Sequence, residues 1–252
     1  MSVVRFSELA CFVIGAIFFA GCSGSDAASS VQVFAAASLT DAFTQLEAEF
    51  EAANPDVDVV VNLGDSSSLR EQIRAGAPAD VFASANEQTV DVLADEGLLG
   101  SEPAIFATNS LVLAVPIGNP ADVVGVEDLQ DDALVVGLCA PAVPCGELAI
   151  ETLERIGVEA SVDTNEPDVR ALLTKIEIGE LDAGLVYLTD ALASPDGVES
   201  IGIGVQEPPV TRYPVVALAD APNPDGAEAF VDFVLSAESS GVFASLGFGA
   251  PQ

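Results

Sequence analysis

From Val31 onward, short apolar runs that read as strands alternate with amphipathic runs that read as helices. That alternation restricts the chain to an α/β fold in which helices flank largely parallel sheets. The first unit can be read residue by residue. Leu39, Ala42, Phe43, Leu46 and Phe50 recur at helical spacing. Ser38 with Asp41 three residues on resembles a capping box, with Asp in place of the usual Glu or Gln, and Asn54-Pro55 stops the helix. Residues 57–63 form the next strand, and Ser66 opens a helix that turns Leu69 and Ile73 inward and ends near Gly76. Further strands are expected over 79–84, 111–115, 134–138, 184–187 and 213–218. Asn86 is placed to cap a helix carrying Val90 and Leu93, and another helix carries Leu148, Ala149, Leu153 and Ile156. Pro167 occupies a first helical turn before Val169, Leu172, Leu173 and Ile176, and two helices over about 225–235 and 238–246 finish the chain.

The first 21 residues read as a processing signal rather than fold. Arg5 supplies a thin positive region, an apolar run over 9–20 is too short to span a bilayer, and Phe19-Ala20-Gly21-Cys22 resembles a bacterial lipobox whose cysteine is lipidated. Ordinary signal cleavage a few residues later is the alternative. Residues 22–30, rich in Ser, Gly and Ala, read as a flexible tether from the lipidated Cys22. In an exported chain the spacing of Cys139 and Cys145 suits a small disulfide loop better than a two-cysteine metal site without histidine.

Charge narrows the chemistry. Seven Lys and Arg stand against 40 Asp and Glu, and there is no histidine, so nucleic-acid binding through basic phosphate contacts is excluded. The acidity reads as a solvated surface. Serine or cysteine nucleophiles lack a histidine base, no Gly-x-Ser-x-Gly elbow occurs, and Gly202-Ile-Gly204 lacks the rest of a dinucleotide fingerprint, so the chain is not read as an enzyme. Carboxylate pairs such as Asp56/Asp58 and Asp131/Asp132 have no claim beyond the surface. What remains is a set of expected helix starts, at Ser38, at Ser66-Ser67-Ser68, at Pro144-Cys145-Gly146 and at Pro167-Asp168-Val169. A helix start offers unpaired N–H groups and a partial positive charge, and neutral donors suit a fully ionised oxyanion, every oxygen of which accepts.

Several segments together resemble the molybdate-binding protein family of bacterial ABC importers. They are the run 33–42, Val33-Phe34-Ala35-Ala36-Ala37-Ser38-Leu39-Thr40-Asp41-Ala42; Ser66-Ser67-Ser68-Leu69 with Gln72-Ile73; and Ala75-Gly76-Ala77-Pro78-Ala79-Asp80-Val81-Phe82. Asn109-Ser110-Leu111-Val112-Leu113, Val143-Pro144-Cys145-Gly146, Asp168-Val169-Arg170, Gly184-Leu185-Val186-Tyr187 with Asp190-Ala191, and Tyr213-Pro214-Val215 extend the likeness to Phe248. The resemblance implies a two-lobed periplasmic binding protein fold of type II, with two hinge strands and the ligand in the interlobe cleft. Lobe one would hold residues 31–108 and 213–252, and lobe two residues 109–212. Ser38 and Ser66 would give hydroxyl and backbone donors from lobe one. The backbone N–H groups of Cys145 and Val169 and the phenol of Tyr187 would come from lobe two. Cys145 stands where the family commonly has alanine, a position used through its N–H. Arg70, Arg74 and Arg170 are left outside the site, in solvated or salt-bridge roles. The implied function is capture of molybdate, or tungstate, by an extracytoplasmic monomer without cofactor, anchored at the outer face of the membrane through Cys22 or free in the periplasm, and delivery to a membrane permease. A sulfate or phosphate binder of the same fold, and a calcium-dependent acidic surface protein, are the alternatives.

Overall fold

The computed structural model describes residues 29–251. The signal segment, Cys22 and most of the tether lie outside the described residues. Among those described, no helix is long and apolar enough to cross a membrane.

Strand β1 (Ser29–Ala36) lies between β2 (Val57–Gly64) and β3 (Val81–Ala83), parallel to both. Ser29 and Ser30, expected in the tether, are the first residues of β1. They pair with Val57 and Asp58, and the Ser29 N–H donates to the Asp56 carbonyl at 2.9 Å. The pleat of β1 sends Val31, Val33 and Ala35 into one apolar core and Phe34 into another on the opposite face. Helices α1 (Thr40–Ala53), α7 (Pro224–Val234) and α8 (Ala237–Ser245) cover the first face, where Phe43, Phe50, Phe106, Phe230 and Phe243 meet. Helices α2 (Ser66–Arg74) and α3 (Glu87–Asp95) cover the second with Leu69, Ile73, Val90 and Leu93. A strand buried on both faces has no room for alternation, which is why β3 and the buried part of β1 read as nearly continuous apolar sequence while β2, at the sheet edge, does not.

A separate core is built from residues 111–203. Here β5 (Val136–Cys139) pairs in parallel with β6 (Thr164–Glu166) and β7 (Ala183–Tyr187), flanked by α4 (Pro144–Ile156), α5 (Val169–Glu177) and α6 (Leu188–Ala193). The halves meet through β4 (Ala104–Pro116) and β9 (Val210–Ala217). These strands pair antiparallel over Ala104–Ser110, and β4 then continues against β7 and β8 (Val198–Ile201). The strand order is β2-β1-β3-β9-β4-β7-β5-β6, with β8 beside β4.

The strand expected at 111–115 is therefore the second half of a 13-residue strand. Its first half escapes a hydropathy reading because Thr108, Asn109 and Ser110 interrupt the apolar run, although Thr108 and Asn109 are buried. Asn109 Nδ2 donates to Thr189 Oγ1 at 2.8 Å. Strands β6 and β8 and helix α6 are too short to carry a period.

The disulfide Cys139–Cys145 joins the end of β5 to the start of α4, Cα to Cα 5.7 Å. The adjoining Gly146 packs so closely that a Cβ there would lie 1.9 Å from the Ala140 carbonyl oxygen, so this turn accepts no side chain. Closing so short a loop restricts the unfolded chain, and its loss costs about 2 kcal/mol. Replacing both cysteines by alanine should lower the urea-unfolding free energy by that amount and the melting temperature by about 5 °C. The parent chain treated with reductant should show the same loss.

Candidate functional site

One cleft between the two cores gathers the carboxyl ends of β1, β2 and β7, the loop after β3, and the starts of α2, α4 and α5. It is lined by Ala36–Ser38, Gly64–Ser66, Ala85, Pro144, Cys145, Asp168, Val169 and Tyr187. In open α/β sheets ligands bind at such strand ends, where helix starts converge. Ser38, Ser66, Cys145, Val169 and Tyr187 all lie on its wall, each at most 5 % exposed. The space left between the walls is small, about 20 Å³ as measured by the centre of a water-sized sphere.

The local geometry departs from the capping expected at three helix starts. Ser38 is no N-cap. Residues Ala37–Leu39 form a 3-10 turn, α1 begins at Thr40 with no side-chain cap, and the Ser38 hydroxyl lies 2.9 Å from the Tyr213 hydroxyl. Asp41, expected to complete a capping box, pairs instead with Arg170 across the cleft. At α2 the cap is Asp65, whose carboxylate accepts from the Ser68 N–H at 2.7 Å. A carboxylate competes better than a hydroxyl for a helix N–H, so Ser66 is displaced into the first turn. Its Oγ accepts from the Ala85 N–H at 3.1 Å. Pro167 precedes the helix rather than opening it, and Asp168 caps α5 by accepting from the Ala171 N–H at 2.9 Å.

These caps leave a defined set of donors. Asp65 and Asp168 each take up the third N–H of their helix, while the amides before it have no acceptor within the helix. In α4, Pro144 carries no N–H, so Cys145 has the first amide of a helix with no side-chain cap. The Tyr187 hydroxyl is buried beside that of Tyr213, with no well-directed hydrogen bond. Burial, with Tyr213 and then Asp190 nearby, holds that phenol well above its ordinary ionisation range, so it remains a donor. The lining contains no cationic side chain, and its two carboxylates are occupied as caps. An anion here would be held by neutral N–H and O–H groups and three helix starts.

Arg170 stands just outside. Its guanidinium pairs with Asp41 of α1 and lies with Nε 2.9 Å from Asp190 Oδ1, off the line of the N–H, so the second contact is an ion pair without a directed hydrogen bond. Arg70 and Arg74 pair with Glu71 and Glu96 at the surface. Other contacts also cross the cleft. Ser67 Oγ donates to the Ala142 carbonyl at 3.0 Å, and Asn86 Nδ2 donates to Glu147 Oε2 at 2.6 Å. The two halves are thus drawn together around the site.

Tyr213, Asn109 and Asp190 were not singled out from sequence as site residues. A signal for Tyr213 exists: the chain has only two tyrosines, Tyr187 and Tyr213, and their rings meet edge to face at 6.2 Å behind the cleft.

The model of the bacterial extracellular solute-binding protein family matches residues 31–249. The molybdate-binding protein ModA of Mycobacterium tuberculosis (strain ATCC 25618 / H37Rv) is 38% identical over 224 residues, spanning 89% of this chain and 86% of that protein. Among solved structures, the periplasmic molybdate-binding protein of Azotobacter vinelandii superposes with a TM-score of 0.78 at 20% identity, covering 88% of this chain and 100% of that one. The sulfate-binding protein SubI of M. tuberculosis H37Rv superposes with a TM-score of 0.75 at 18% identity, covering 87% and 86%. At such identities the two superpositions show the fold alone, a two-lobed binding protein.

Burial pushes the Asp190 carboxyl up to about 7, against the pull of Arg170. A carboxyl whose folded value is raised favours the folded state fully below its unfolded value near 4 and loses that contribution as pH rises through about 7. Urea unfolding at pH 5, 6.5 and 8 should therefore show declining stability. Asp190→Asn should flatten the decline by an amount on the order of a few kcal/mol.

Proposed function

The chain belongs to the bacterial extracellular solute-binding protein family, and we propose that it captures molybdate outside the cytoplasm and hands it to the membrane permease of an ABC importer. The observation that carries this reading is the convergence, from two lobes on one cation-free cleft, of the Ser38, Ser66 and Tyr187 hydroxyls with the first amides of α4 and α5. A tetrahedral oxyanion without protons accepts at every oxygen and asks for no acceptor in return, so donors alone suffice. A protonated phosphate would need a carboxylate to receive its proton, and each lining carboxylate already turns one oxygen to the amide of its own helix. Identity to a molybdate-binding protein across most of the chain favours molybdate over sulfate, which the fold alone would not. Tungstate, of the same charge and shape, is expected to bind as well.

Binding works by closure. Neither lobe by itself surrounds the anion, so the ligand interacts more strongly with the closed arrangement and shifts the population towards it. No bond in the ligand changes, so the role is transport rather than catalysis, and the protein needs no cofactor and acts as a monomer. Lipidation at Cys22 would tether it to the outer face of the membrane beside its permease.

Isothermal titration of the purified chain with molybdate, tungstate, sulfate, phosphate and calcium tests the reading. Heat from molybdate and tungstate with little from the others is expected, and a response to calcium alone would overturn it. Ser38→Ala combined with Ser66→Ala should weaken molybdate binding by about 100-fold or more, since each hydroxyl donates to a charged acceptor; the variant should still unfold cooperatively in urea, at a lower midpoint because Tyr213 and the Ala85 N–H lose their partners.

A further inference from the structure

A hydroxyl serves an oxyanion only if its proton points at the anion, and for the two serines of the cleft that orientation has different origins. Ser66 Oγ accepts from the Ala85 N–H, which occupies a lone pair and leaves the proton free for the cleft. Ser38 Oγ faces another hydroxyl, that of Tyr213, and between two hydroxyls either can donate. The surroundings of Tyr213 decide the direction. The Ser110 N–H donates to Asn109 Oδ1 at 3.0 Å, which fixes the carboxamide so that its NH2 faces inward. Asn109 Nδ2 then donates to Thr189 Oγ1 at 2.8 Å and, over a longer 3.5 Å, to the Tyr213 oxygen. Tyr213 is wholly buried, so no solvent competes for its proton.

We infer that Tyr213 is a positioning residue for the oxyanion. Polarised by Asn109, it donates to Ser38 Oγ and thereby turns the Ser38 proton into the cleft. The relay runs from the Ser110 N–H to Asn109, to Tyr213, to Ser38 and to the ligand, each donor facing an acceptor. Asn109 and Tyr213 belong to β4 and β9, the strands that join the lobes, so the hydroxyl is set by the part of the molecule common to both halves.

This inference rests on the molybdate reading, and the experiment separates the two. Molybdate affinity is measured by titration calorimetry for the parent chain, Tyr213→Phe, Ser38→Ala and the double variant. Loss of the orientation of the Ser38 hydroxyl, which donates to a charged acceptor, predicts weakening by about tenfold or more in Y213F, with no further weakening when Y213F is added to S38A. An equal penalty in both backgrounds, or none in the parent background, overturns the relay while leaving molybdate capture standing. Failure of the parent chain to bind molybdate overturns both. Should Y213F not fold, Asn109→Leu keeps the tyrosine ring and removes the amide that polarises it, without placing a charge beside the anion. Its penalty must likewise vanish beside S38A, and persistence there overturns the relay.

Discussion

The first amides of an α-helix have no partner within it, and in this molecule the starts of α2, α4 and α5 open on one cleft. Much of the rest of the structure serves to bring those amides together without satisfying them too well. Parallel strands deliver helix starts to one edge, so β1, β2 and β7 all end at the site. Asp65 and Asp168 each cap one deeper amide, and Pro144 removes one donor, so the remainder are limited in number and fixed in direction. Gly146 and the Cys139–Cys145 bridge hold the start of α4 against the preceding loop, where a side chain would not fit.

The same economy explains how a chain of formal charge -33 can present an anion site. Surface carboxylates beyond a Debye length, about 8 Å at physiological salt, are largely screened from the cleft. Those near it are committed to caps or to Arg170. Asp190 meets Arg170 without a directed hydrogen bond, and it is buried and pushed towards neutrality. Arg170 contributes a bridge rather than a ligand. It reaches from α5 to Asp41 of α1 and so acts on how the lobes meet, alongside the Ser67–Ala142 and Asn86–Glu147 contacts.

The β4–β9 pair links these two roles. It joins the cores mechanically, and it also carries Asn109 and Tyr213 behind Ser38. A buried tyrosine hydroxyl needs a partner, and Ser38 is the partner the fold supplies. That requirement, rather than helix capping, accounts for the orientation of this serine.

Much of this was legible in the residues. The apolar periods of Leu39 to Phe50 and of Val169 to Ile176 established their helices, and the alternation of such runs with strands established the α/β class, because burial of one helix face imposes its own spacing. The absence of histidine and scarcity of cations left neutral donors as the available binding chemistry, and resemblance to a family selected five of them. Tertiary structure alone decided what each polar side chain does. Ser38 and Ser66 looked like caps because local sequence shows only nearby amides. Their partners, Tyr213 and Ala85, lie 175 and 19 residues away along the chain. The pairing of Arg170 with Asp41, 129 residues apart, is equally invisible to spacing. A hydrogen bond depends on separation in space, and only the folded chain brings those atoms within reach.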